Sequence, residues 1–142
     1  MHAGVAPGAA HSAAGVLAAM RGRSLPPTAV ERGNRPPLLV IHGSEDHVVS
    51  VRNAHAAAEQ WAAALGARAA TPRRVQRGAR HAMTVSDWRA QRRVCARVCE
   101  VEYLGHAWSG GVAGEPFSDP KGPDASTLIW RFVQANLRGR QE

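Results

Sequence analysis

An α/β layered fold with a mainly parallel sheet is what this sequence predicts, on three observations. The run P-L-L-V-I-H-G at residues 37 to 43 places four branched apolar residues in succession before a glycine stop. It shows no polar alternation, which is the habit of a strand buried on both faces between helices. Helical and extended patterns then alternate along the chain, in the order helix, strand, helix, two strands, helix. Finally, the residues with catalytic character gather just after strand-like runs, where sheets of this kind keep their chemistry.

Each element has its own signal. Residues Ala13 to Met20 read as a short helix ended by Gly22, followed by a proline- and glycine-rich connector, R-S-L-P-P-T-A-V-E-R-G-N-R-P-P. Between Val51 and Leu65 the apolar positions Val51, Ala54, Ala58, Trp61 and Leu65 form a helical stripe, and Gly66 marks its stop. Residues 82 to 88 and 96 to 103 read as two strands joined through A-Q-R-R. In the second, Cys99, Val101 and Tyr103 alternate with Glu100 and Glu102, so one face is expected buried and the other wet. The last helix is expected from about Ala125 to Leu137, with Asp124 as N-cap. Its stripe is Leu128, Ile129, Phe132, Val133 and Leu137, and Gly139 follows its end. Trp61 and Trp130 fall on apolar stripes and are expected in the core.

At 142 residues the chain makes one domain, enough to bury roughly two-thirds of its unfolded surface. Its apolar content is rich in alanine, so large core formers are few. The longest apolar run falls well short of the ~20 residues of a membrane helix, so no membrane partner is expected. The opening M-H-A-G-V-A-P-G lacks the parts of a signal peptide, which by itself implies a cytoplasmic protein if Met1 is the true start.

Seventeen of the eighteen basic residues are arginine, eight of them between Arg73 and Arg97, and the net charge is +7. Charge alone would suit nucleic acid, but only Trp88 interleaves with these arginines, where a strand-binding surface normally brings several aromatics. A solvated arginine-rich loop and strand face is the preferred reading, with no nucleic-acid partner. Cys95 and Cys99 would lie ~13 Å apart along a strand, too far for a disulfide. They are read as small buried hydrophobes. Neither the cysteines nor the histidines His42, His47 and His106 show metal-ligand spacing, so no metal or other cofactor is expected.

Two stretches carry chemistry: I-H-G-S-E-D-H after the first strand, and L-G-H-A-W-S-G-G after the last. An acid at one strand end and a histidine at another form two-thirds of a nucleophile–histidine–acid triad. Asp46 would hold one ring nitrogen of His106, fixing its tautomer, while the other nitrogen takes a proton from a hydroxyl. Glu45 is the neighbouring rival for the acid. Glycines at 105, 110 and 111 let the histidine loop turn tightly.

H-G-S-E-D-H-V-V with R-N-A downstream, and above all G-H-A-W-S-G-G followed by F-S-D-P-K-G-P-D-A-S, resemble the poly(3-hydroxybutyrate) depolymerase-type esterases, which are α/β-hydrolases. A-A-H-S-A-A-G-V-L-A-A-M-R-G is similar to the segment before their acid-bearing strand, so the resemblance spans nearly the whole chain. It implies a secreted serine esterase acting on short-chain esters or polyesters. Asp46 would be the triad acid and His106 the base, with Trp108, Ser109, Gly110 and Gly111 shaping the substrate cleft. It also implies that residues 1 to 142 are the C-terminal part of such a fold, a single partial domain. The nucleophile serine of that family sits on a G-x-S-x-G elbow before the acid. None of the eight serines here, at 12, 24, 44, 50, 86, 109, 118 and 126, has glycine at both flanking positions. The first strands, the elbow and the oxyanion loop are therefore expected to lie upstream of residue 1, and the chain alone is expected to be inactive. Ser109, three residues from His106, lacks an elbow and a helix N-terminus and is a poor substitute nucleophile. The rival readings are an inactive binding or regulatory half-fold and a basic nucleic-acid-binding domain.

Overall fold

The structure is a computed structural model and describes residues 12–23 and 35–138. Most of the connector read between the first helix and the first strand lies outside the described residues. The elements run α1 (Ala13–Met20), β1 (Leu38–Gly43), α2 (Arg52–Ala64), β2 (Arg68–Ala69) and β3 (Arg73–Val75). They continue with β4 (Met83–Ala90), β5 (Arg93–Val101), β6 (Trp108–Ser109), β7 (Ser118–Asp119) and α3 (Ala125–Arg138). Among the described residues no helix is long and apolar enough to cross a membrane.

The expected mainly parallel sheet of an α/β-hydrolase C-terminal part is corrected here. The five-stranded sheet has the order β1-β5-β4-β2, with β3 also on β4, and within it only β1 and β5 run parallel. β2, β3 and β5 all lie antiparallel to β4. The reason lies in a connection. Parallel neighbours need a crossover of a dozen residues or so, whereas β4 and β5 are joined by Gln91 and Arg92 alone, a hairpin link. Gln91 takes the left-handed φ of +54°, as tight hairpins require of one central residue. The segments of β2 and β3 show little apolar signal, being short and arginine-rich, and the reading of that region as loop missed them.

Apolar residues on both sides of the sheet explain the layers. Val40 of β1 joins Ala54, Ala58, Ala62, Trp88, Ala96 and Val98 in one cluster beneath α2. Leu39 and Ile41 point the other way, toward Met83, Val85, Cys99, Val101, Leu104 and Leu128 of α3. β1 is thus apolar on both faces, as its unbroken run predicts. Alanines let α2 sit close to the sheet, and Gly66 at φ +63° closes that helix. There the Ala67 amide donates to the Ala62 carbonyl at 2.9 Å and the Gly66 amide to that of Ala63 at 3.2 Å, which is a Schellman motif. Asp124 caps α3 through the Thr127 amide, at 2.6 Å. Asn53 of α2 donates to the carbonyls of Ala19 and Met20, satisfying the end of α1.

Two core assignments fail. Trp130 is 61% exposed and Tyr103 is 66% exposed. Trp130 lies on the outer side of α3, where Val133 and Leu137 are also exposed. Tyr103 falls beyond the end of β5, in a turn at φ +60°, so the strand alternation no longer governs it. Cys99 is buried, with its thiol pushed up to about 11 by burial, and both cysteines are free.

Asp87 of β4 is a strongly bound charge in the sheet. Its buried carboxylate takes the Arg97 guanidinium at 2.5 and 2.8 Å and that of Arg73 at 3.1 Å. Burial works to raise its pKa, but Arg97 and Arg73 outweigh that and hold it at about 2. A carboxyl depressed from its ordinary 3.8 lends stability above that value and loses it as pH falls toward the folded one. Urea midpoints should therefore drop between pH 4 and pH 2 in the native chain. Asp87→Asn should be less stable throughout and show a shallower acid limb. At the other end of the sheet, a Cβ at Gly43 would stand 2.0 Å from the Leu104 carbonyl oxygen, a backbone atom. Gly43→Ala should cost ~3 kcal/mol or more in a denaturant titration, because backbone rather than a side chain must move.

Candidate functional site

The loops that leave β1 and β5 are adjacent because those strands are parallel and in register, with Gly43 opposite Val101. Past the strand ends the pairing continues in another form. The Ser44 amide donates to the Val101 carbonyl at 2.9 Å and the Glu45 amide to that of Leu104 at 3.0 Å. The Tyr103 amide donates to the Ser44 hydroxyl at 3.1 Å. These bonds carry Asp46 and His106 onto the same corner.

There the two side chains meet: His106 Nδ1 and Asp46 Oδ2 are 2.8 Å apart. The Asp46 side chain is 7% exposed and that of His106 29%. Oδ1 of Asp46 is occupied separately, accepting from the amides of Val48 at 2.9 Å and Val49 at 2.8 Å. Burial alone would push this carboxyl up. The Val49 amide, the His106 imidazole and the Val48 amide outweigh it and hold the group below its ordinary value. Asp46 is therefore an anion at neutral pH, and Nδ1 of His106 carries a proton toward it. In the neutral ring Nε2 then holds the lone pair and is the atom able to accept a proton from a hydroxyl.

The remaining residues divide by position. Glu45 is exposed and takes no part in the pair. His42, which residue spacing left unassigned, is buried directly behind Asp46, its Nε2 at 3.8 Å from Oδ2. Its Nδ1 lies 3.0 Å from the Gly43 carbonyl, which can only accept, so Nδ1 is protonated and the buried Nε2 has no hydrogen-bond partner. Phe117 was also missed. Its ring stands edge-on to His106 with centroids 6.3 Å apart, and its backbone adopts φ +54°. Nothing short of the chain's return through β7 could have signalled it. Trp108 begins β6 and is partly exposed, its amide bonded to the Phe117 carbonyl. Ser109 is 2% exposed and its hydroxyl donates to the Pro123 carbonyl at 2.6 Å. It ties the glycine loop to the start of α3. Gly110, at φ +73°, sits where a Cβ would meet the Asp124 Cα at 2.5 Å.

A cavity beside the pair is lined by Ile41, His42, Gly43, Asp46, Gly105 and His106, and has room for a single water-sized group, about 10 Å³. Among the described residues no group of three His, Cys, Asp or Glu side chains is placed to hold a metal ion. Chemically, the arrangement is a polarised imidazole with a fixed tautomer.

No protein-family model and no curated protein matches this chain.

The tautomer gives a direct test. Asp46→Asn keeps an oxygen for the Val48 and Val49 amides but turns an amide N–H toward Nδ1. Nitrogen-detected NMR should find neutral His106 as the Nδ1–H form in the native chain and as the Nε2–H form in the variant.

Proposed function

We propose that this chain carries the base and the acid of a serine-esterase triad of the poly(3-hydroxybutyrate) depolymerase type. His106 is the general base and Asp46 the acid that orients it, while the nucleophile serine comes from outside these 142 residues. The observation that carries this reading is the 2.8 Å contact between Nδ1 and a buried, amide-held carboxylate. It joins residues sixty positions apart in two strings, H-G-S-E-D and H-A-W-S-G-G, that resemble that family.

With such a serine in reach, Nε2 of His106 takes the hydroxyl proton as the oxygen attacks an ester carbonyl. The imidazolium formed is stabilised by Asp46 and then returns the proton to the departing alcohol, leaving an acyl-enzyme. Water, deprotonated by the same nitrogen, releases the acid. The ester is of short chain, monomeric or polymeric, and a polymeric one goes with action outside the cell.

The test supplies what the chain lacks. Alone, it should not hydrolyse a short-chain chromogenic ester above background. Co-expressed with the serine-elbow region of a depolymerase-type esterase, it should turn the ester over. His106→Ala should then cost on the order of a thousand-fold or more in kcat, and Asp46→Asn a loss of similar order. Hydrolysis by the complex that survives His106→Ala would refute the assignment.

A further inference from the structure

At the opposite end of the sheet, where β5 begins, lies a second cavity of about 290 Å³. Its walls include Arg89, Arg92, Arg93 and Arg97, with Val94 and Phe132 as the apolar side. This is the size range of a pocket for one small organic molecule.

The charges around it are out of balance. Among the described residues, Asp87 is the carboxylate paired with this group, and it is shared by Arg97, Arg73 and, at 3.5 Å, Arg89. Among the described residues no carboxylate pairs with Arg92 or Arg93, which follow one another at the exposed hairpin turn. Guanidinium groups cannot discharge by losing a proton in the neutral range, so Arg92 and Arg93 keep their positive charge beside the hollow while Arg97 and Arg89 share Asp87. Arg97 is fixed in place. Its fork is locked onto Asp87 and its guanidinium carbon stands 5.8 Å from the centre of the Phe132 ring.

We infer that this cavity binds a small organic oxyanion, a phosphomonoester or carboxylate with an apolar body. Paired arginines present donors that match the oxygens of either group, and Val94 and Phe132 receive the carbon part. A nucleic-acid strand fits less well: it would need arginines spread along a track and several aromatics to stack its bases. Here the unpaired arginines converge on one hollow with a single aromatic ring. The inference is independent of the esterase reading, since the cavity and the Asp46 pair lie at opposite ends of β5.

Calorimetric titration at about 150 mM salt, where diffuse surface attraction is screened, decides it. The probes are phenyl phosphate, benzoate, inorganic phosphate and a short single-stranded oligonucleotide. One site per chain is expected for phenyl phosphate or benzoate, whichever head group the arginines prefer. Its affinity should be about tenfold above that of inorganic phosphate. Arg92→Gln combined with Arg93→Gln alters only exposed side chains at the hairpin turn and the start of β5 and should weaken binding by about tenfold or more. Arg77→Gln, an exposed arginine outside the cavity, should leave it unchanged. Three results would overturn the inference: no saturable binding of either organic anion, equal affinity for inorganic phosphate, or oligonucleotide binding weakened as much by Arg77→Gln as by the double variant.

Discussion

The parallel contact between β1 and β5 is the constraint on which the candidate site depends. Those strands share six residue pairs, from Leu38 opposite Ala96 to Gly43 opposite Val101. Their common direction brings both carboxyl ends to one edge of the sheet, and the loops beyond inherit the register. Gly43 makes this possible, because the Leu104 carbonyl occupies the space where any side chain would begin. In return that carbonyl accepts the Glu45 amide. One antiparallel strand in place of β1 would put Asp46 and His106 at opposite ends of the sheet, roughly 20 Å apart over six residues. The site therefore needs just one parallel pair, and the rest of the sheet is free to be antiparallel.

Electrostatics at the two ends of the sheet follow the same rule with opposite outcomes. Asp46 and Asp87 are both buried carboxylates whose burial would favour the neutral form, and in both cases donors reverse it. Around Asp46 the donors are two backbone amides and one imidazole, so the carboxylate is placed to stabilise an imidazolium when His106 takes a proton. Around Asp87 they are permanent cations in excess of the carboxylate, so positive charge remains. His42 sharpens the first case. Its Nε2, buried 3.8 Å from Oδ2, makes no hydrogen bond, so among the described residues His106 is the side chain hydrogen-bonded to the carboxylate.

What could be read from the sequence follows from how local each signal is. α1 and α2, the two-faced β1, the cap at Asp124 and the pairing of Asp46 with His106 rest on short-range patterns or on a pair of motifs, and the structure has all of them. Strand direction is different. Apolar periodicity is blind to whether a neighbour runs up or down, so the sign of the sheet had to come from connection lengths, and the structure shortens the link between β4 and β5 to Gln91 and Arg92. β2 and β3 were illegible because three of their five residues are arginine, and Ala69 and Val75 alone make too short an apolar signal. Trp130 failed because amphipathic spacing locates a stripe but not how much of it the sheet is wide enough to cover. A polar side chain in a glycine loop gives no sign of which way it turns, and at Ser109 the Pro123 carbonyl draws it inward.

The choice between Glu45 and Asp46 shows how chain length decides a role. Oδ1 of residue 46 must reach the amides two and three positions ahead while Oδ2 reaches across to the imidazole. A carboxyl one bond from Cβ satisfies the first demand as an Asx-type turn does, with its own backbone setting the distance. A glutamate, with one more methylene and one more rotor, would lose that closure and present a mobile acceptor. Because the turn consumes one oxygen, the other is fixed in direction before His106 arrives, and the imidazole is oriented at little further cost in side-chain entropy. The same two amide bonds that shape the approach to α2 thus set the tautomer sixty residues away, so local turn chemistry and the reach of a proton acceptor are a single structural fact.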